Sequence, residues 1–245
     1  MKHKFLHDTH FHLDLYKNIP EIIKEIDDIK CYTIAVTNLP ELYYKLIKNI
    51  TSKYVRVALG FHPELVYEYQ KQTELMWESL GETKYIGEVG LDYKNKKQVD
   101  IAEQKKFFQE LVTKCNTYGD KIMTLHSRKS EKDVVDIIGN KFNGHVILHW
   151  YSGNKTVMDK AIINGFYFSV NIAMVRSKSG QNIISNIPLN KILLESDGPF
   201  VKIDNNSIRP IDITNTVEAL SKLLNINTVE LESMLKNNFK VLLNS

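Results

Sequence analysis

One pattern runs the length of the chain and limits what it can become. Short β-branched runs recur eight times, at residues 5–10, 31–37, 55–60, 85–90, 121–126, 145–149, 167–170 and 191–196. Segments of helical period lie between them. Ile19, Ile22, Ile23 and Ile26, with Pro20 suited to a helix start, predict a helix over residues 19–29. Ile101, Phe108, Val112 and Cys115 predict another over 101–118, and the tail carries two more, over 211–224 and 228–243. Strands separated by helices pair in parallel, because parallel neighbours need a crossover connection. With right-handed crossovers, eight such units close most simply into an α/β, TIM-type (β/α)8 barrel. Such barrels typically need about 250 residues. The 245 residues present therefore predict a single domain over residues 1–245, with loops at 171–180 and 198–210.

Composition narrows the classes further. Lys and Arg number 32 against 29 Asp and Glu, a formal charge of +3. That excludes a strongly basic histone-like binder and an acidic tail protein, yet leaves room for a local basic patch on nucleic acid. Cys31 and Cys115 are too few for a disulfide framework, so a reducing, cytoplasmic setting is expected. Asp8, His10, His12 and Asp14 interrupt any apolar signal core. The uncharged stretch 161–175 is too short to span a bilayer, so no membrane role is expected.

Polar residues cluster where the strands end. His10 and His12 close the first strand and, by alternation, share a face. Alone, a His-x-His pair is as consistent with surface histidines as with a metal. Glu88 closes the fourth strand, His126 the fifth, His149 the sixth, and Asp197 follows the eighth. In an eight-stranded barrel these ends meet on one rim, where barrel enzymes place their chemistry. Four imidazoles and two carboxylates suit zinc, manganese or magnesium. Six donors are too many for one catalytic ion with an open position and suit two ions bridged by Glu88. Two such ions would activate a water, making metal-bound hydroxide the nucleophile in an in-line displacement at phosphorus.

The motifs now quoted carry a resemblance. D-T-H-F-H at 8–12, G-F-H-P at 60–63, G-E-V-G-L-D-Y at 87–93, H-S-R at 126–128, H-W-Y-S-G at 149–153 and E-S-D-G-P at 195–199 occur in this order. As a set, from Asp8 to about Leu243, the chain resembles the TatD family of metal-dependent deoxyribonucleases. The resemblance implies that His10, His12, Glu88 and Asp197 surround one ion and Glu88, His126 and His149 the other. It implies a catalytic role for Glu88, Asp197 and His62, the last touching the scissile phosphate or donating a proton; a loop-orienting hydrogen bond is the competing reading. Asp92 is read as a group behind the ligands that steadies a histidine, and Asp8 as the same or a strand-end cap. The family's R-N-E-P stretch is reduced here to Arg209-Pro210, and Tyr151 replaces a phenylalanine. The segment between Leu15 and Pro20 is short. These departures concern substrate fit, not metal ligands.

Arg128 is the expected phosphate contact, with Ser152 and Gly153 offering a hydroxyl and an N–H. Lys94, Lys96, Lys97, Arg176, Lys178, Lys202 and Arg209 could add charge, though most are expected to be solvated surface. Tyr93, Trp150, Tyr151 and Phe200 could stack unpaired bases, with packing under the loops as the alternative for Trp150 and Phe200. The expected activity is cleavage of DNA phosphodiesters, as a 3'-5' exonuclease preferring single strands. The alternatives are a metal-dependent deacylase or amidohydrolase on a small ester or amide, and a non-catalytic nucleic-acid-binding or partner-docking module. Family members found in anti-phage defence clusters also admit protein partners in a defence complex.

Overall fold

The structure is a computed structural model that describes residues 6–94 and 97–244. Phe5 and Lys96 lie outside the described residues. Eight strands alternate with helices in chain order: β1 (Leu6–Phe11), β2 (Cys31–Ala35), β3 (Val55–Val57), β4 (Tyr85–Gly90), β5 (Lys121–His126), β6 (Gly144–His149), β7 (Tyr167–Val170) and β8 (Ile192–Leu194). The helices are α1 (Ile19–Ile29), α2 (Pro40–Ile47), α3 (Thr73–Ser79), α4 (Gln98–Tyr118), α5 (Glu131–Ile138), α6 (Lys155–Ile163), α7 (Ile172–Arg176), α8 (Lys178–Ile184), α9 (Ile213–Leu224) and α10 (Thr228–Asn244). This is the α/β, TIM-type (β/α)8 class expected from the alternation. Among the described residues no helix is long and apolar enough to cross a membrane.

The chain divides into two compact units, and neither is a continuous stretch of sequence. One draws on Met1–Ala35, Ile50–Arg56 and Phe168–Ser245, the other on Val36–Asn49 and Val57–Tyr167. In the first unit β1 pairs with β2, and β7 with β8, both in parallel. Phe11, Ile26, Ile34, Leu220 and Phe239 fill its core. All six residues of β1 are buried although four are polar, so each of those four needs a partner. His7 Nε2 accepts from Leu194 N–H at 3.1 Å and stacks on Phe239, with centroids 4.5 Å apart. Thr9 Oγ1 donates to the Leu194 carbonyl at 3.0 Å.

In the second unit β4, β5 and β6 pair in parallel. Leu59, Phe61, Phe108, Leu125, Val134 and Leu148 make its core.

Residues 171–180 are not the loop their polar composition suggests. Asn171 Oδ1 accepts from Met174 N–H at 3.0 Å and starts α7; Ser177 Oγ accepts from Gly180 N–H at 3.1 Å and starts α8. Each side-chain cap satisfies one orphan donor of a short helix, a use of Asn and Ser that loop composition alone does not distinguish. The stretch 198–210 is largely a loop, closed by a two-stranded hairpin of Lys202–Ile203 with Asn206–Ser207.

Candidate metal centre

Among the described residues, the register of the strands shifts at two donor positions. β1 shifts against β2 between Asp8 and Phe11, and β4 shifts against β5 between Ile86 and Val89. Such irregularities re-aim side chains next to functional sites. Here they fall on His10 and on Glu88.

In the first unit His10 Nε2 and His12 Nε2 are 3.3 Å apart. Two nitrogens on one tetrahedral zinc, each at about 2.0–2.1 Å, would sit roughly 3.3 Å from one another. Asp197 Oδ1 faces both, 3.9 Å from His10 Nε2 and 3.7 Å from His12 Nε2. All three side chains are buried. Asp197 sits at φ 50°, a left-handed conformation uncommon for a non-glycine residue. Two backbone bonds hold it there: Asp197 N–H donates to the His10 carbonyl at 2.9 Å, and His12 N–H to the Gly198 carbonyl at 3.0 Å. Asp8 ties the same two strand ends. Its Oδ1 accepts from Ser196 N–H at 3.0 Å and His10 N–H at 3.2 Å, and its Oδ2 accepts from the Ser196 hydroxyl. Burial pushes the Asp8 carboxyl up to about 7, against those hydrogen bonds.

In the second unit three histidines surround one carboxylate oxygen. Glu88 Oε1 lies 2.7 Å from His126 Nδ1, 3.3 Å from His149 Nε2 and 3.7 Å from His62 Nε2. The ligand atoms of His62, Glu88 and His126 all fall within 4.8 Å of one another. His126 Nε2 is gripped from behind by Asp92 Oδ2 at 2.7 Å. Burial works against a charge on His126, but its bonds to Asp92 and Glu88 outweigh burial and raise the imidazole to about 9. Burial likewise opposes the Asp92 carboxylate, yet His126 keeps it below its usual range. The cluster thus stabilises positive charge, and its nitrogen and oxygen donors fit a divalent ion.

The glycines of the motifs bring backbones together. A Cβ on Gly60 would stand 1.6 Å from the Thr37 carbonyl oxygen. That close approach lets Phe61 N–H reach the Glu88 carbonyl at 3.0 Å and His62 N–H reach the Asn38 carbonyl at 2.9 Å, so His62 comes to face Glu88. Gly90, at φ 135°, packs its Cα against the backbone of His126 in the same way.

His62 makes the loop-orienting hydrogen bond of the competing reading. Nδ1 accepts from Glu64 N–H at 3.2 Å and orients the loop, which leaves the ring hydrogen on Nε2, the atom facing Glu88. Among the predicted substrate contacts, Arg128 is exposed. Tyr93 donates its hydroxyl to Asp133 at 2.7 Å and lines a cleft of about 150 Å³ with Lys129, Gly153 and Asn154. Ser152 donates to Glu131 at 2.9 Å. Tyr151 is not available to bases: it is buried, with its hydroxyl on the Asn154 carbonyl at 2.8 Å. Trp150 and Phe200 are exposed rather than packed under loops. Lys94, Lys97, Arg176, Lys178 and Lys202 are solvated, while Arg209 pairs with Glu25 at 2.9 Å.

Sequence reasoning missed two supporting residues. Gln104, buried on α4, accepts from Asp92 N–H at 2.8 Å and fixes the group that grips His126. Glu195, buried beside the donor strand end, accepts from the Ser169 hydroxyl and from Asn171 Nδ2, the latter at 2.8 Å. Nothing local marked Gln104, since Asp92 precedes α4 and the two meet only through packing; nothing local separated Glu195 from Asp197.

Known proteins share this arrangement of elements. The chain superposes on the crystal structure of YjjV, a TatD homolog from Escherichia coli K12, with a TM-score of 0.84, over 100% of both chains and at 21% identity. It is 28% identical over 188 residues to a TATDN1 homolog of Encephalitozoon cuniculi, covering 76% of this chain and 67% of that one. To deoxyribonuclease TATDN3 of Homo sapiens it is 23% identical over 216 residues, 78% of this chain and 77% of that protein. A family profile described as TatD related DNase matches residues 7–244, and the chain accordingly belongs to that family of metal-dependent hydrolases.

Proposed function

We propose that the protein hydrolyses DNA phosphodiesters, as one catalytic domain, with two divalent ions of zinc, magnesium or manganese. His10, His12, Glu88 and Asp197 would hold one ion; Glu88, His126 and His149 would hold the other. The observation that carries this reading is that each unit has a cluster of imidazole and carboxylate donors at strand ends, buried in the first unit and partly buried in the second, in a chain matched to a DNase family. When bound, the ions supply Lewis acidity and lower the pKa of a water.

The chain's own groups do the rest. His62 presents its Nε2 hydrogen beside Glu88 and is placed to donate to a phosphoryl or leaving oxygen. Asp197, held in its left-handed conformation, is the carboxylate suited to take up the proton lost by the attacking water. Asp92 and Gln104 keep His126 from turning. Arg128 reaches a flanking phosphate from the rim, and the Tyr93 ring forms one wall of the neighbouring cleft. Cleavage proceeds 3' to 5' from single-stranded ends. Two buried free thiols, Cys31 and Cys115, suit a cytoplasmic, reducing setting.

A time course on end-labelled single- and double-stranded DNA and RNA, with each metal and with chelator, tests the reading. Single-stranded DNA should shorten from its 3' end, only with metal. Glu88→Ala should lower the rate at least about 10³-fold while circular dichroism stays native. Full activity in that variant would sink the shared role of Glu88, and turnover confined to an ester or amide panel would favour the deacylase alternative.

A further inference from the structure

Phe200 is a large hydrophobe left 58% exposed, yet its ring is not adrift. It meets His12 edge-on, with centroids 5.0 Å apart and planes at 87°. The backbone beneath it is fixed at several points. Phe200 N–H donates to the Asp197 carbonyl at 2.9 Å, Val201 N–H to the same carbonyl at 3.1 Å, and Ile208 N–H to the Val201 carbonyl at 3.1 Å. Tyr16 Oη donates to the Ile208 carbonyl at 2.7 Å and clamps the returning strand. A rigid, solvent-facing aromatic ring thus stands against a donor histidine and three residues from a donor carboxylate.

Of the other aromatic candidates, Trp150 is less exposed than Phe200, at 37% against 58%, and two are spent differently. Tyr151 is buried, and Tyr93 is tethered through its hydroxyl to Asp133. Lys202, two residues beyond Phe200, is exposed and supplies charge without a base-reading edge. Stacking on an aromatic face is the sequence-tolerant way to hold an unpaired base and is worth about 1–3 kcal/mol per base.

We propose that Phe200 is a specificity-determining platform on which the unpaired base next to the scissile phosphodiester stacks. The assignment takes its substrate class from the nuclease reading above. It makes the site favour single strands and ends, since a base stacked inside a duplex has no open face to offer the ring.

Two measurements test it. The first is fluorescence of single-stranded oligonucleotides carrying 2-aminopurine next to a phosphorothioate linkage, added to metal-loaded protein. Wild type and Phe200→Trp should quench the probe; Phe200→Ala should not. The second is kcat/KM on a normal oligonucleotide and on one abasic at that position. Phe200→Ala should lose about 5- to 160-fold on the first and nothing on the second. Equal loss on both substrates, with reduced metal content, would make Phe200 a support for His12 and overturn the proposal. So would quenching that survives Phe200→Ala. If wild type cleaves no DNA, the nuclease reading falls, and the quenching still decides for or against the platform.

Discussion

His7 shows how a single buried side chain sets the response to acid. Burial holds its imidazole neutral, with a pKa lowered to about 3 from an ordinary 6.5. The unfolded chain therefore binds a proton below about pH 6.5 that the folded chain refuses until about pH 3. Stability falls as pH drops through that window and levels off beneath it. Between pH 6.5 and 4.5 the loss attributable to His7 is about 2 to 3 kcal/mol. Urea unfolding at both pH values should show this slope in wild type and a shallower one in His7→Gln, which can still accept from Leu194. An unchanged slope would mean that His7 titrates normally. The donor residues were legible on paper because the chemistry is local: a two-residue spacing for His10 and His12, and polar side chains at the ends of apolar runs. Tyr151 was misplaced for the same reason that Gln104 was missed. Whether a ring turns inward, or a glutamine meets an amide twelve residues away, is decided by packing between elements.

At the scale of elements, α7 depends on one asparagine. Asn171 spends its carbonyl oxygen on Met174 N–H and its amide on the buried carboxylate of Glu195. Asn171→Ala removes a cap, worth about 0.5–2 kcal/mol, and strips a donor from a buried carboxylate, worth about 1–3 kcal/mol. A fall of about 2 to 4 kcal/mol in unfolding free energy is expected, with hydrogen exchange rising in α7 and α8. Exchange that rises elsewhere instead would contradict the assignment. The strands β4, β5 and β7 and helix α1 coincide with their predicted bounds, since apolar runs and a proline start are strong local signals. The residues of α7 and α8 read as loop because the apolar run of α7 lasts little more than one turn and residues 176–180 that follow it are polar. Their helicity comes from caps and from the carboxylate behind them.

For the whole molecule, the informative quantity is what metal adds to folding. An ion bound by the folded chain alone, at about 100 times its Kd, stabilises by about 2.7 kcal/mol. For a chain of this size that corresponds to about 5–10 °C in Tm. Chelation should lower Tm by that amount and added zinc, manganese or magnesium should restore it; a Tm indifferent to chelator would mean that the folded chain holds no such ion. The alternation of elements announced the barrel class from one end of the sequence to the other. The division into two units was not legible, because each is assembled from separated segments and no linker marks the passage between them.

The clasp of Asp8 on Ser196, and the meeting of His10 and His12 with Asp197, also fix when this cluster can come into being. Asp197 is 185 residues downstream of His12. At translation rates of about 5–20 residues per second, roughly 10 to 40 seconds separate their synthesis. Throughout that interval the imidazole pair lacks its carboxylate. A stalled ribosome or a message cut before the codon of Asp197 therefore yields a chain with both histidines but without this cluster, so the cluster cannot assemble until the chain has been made past the eighth strand.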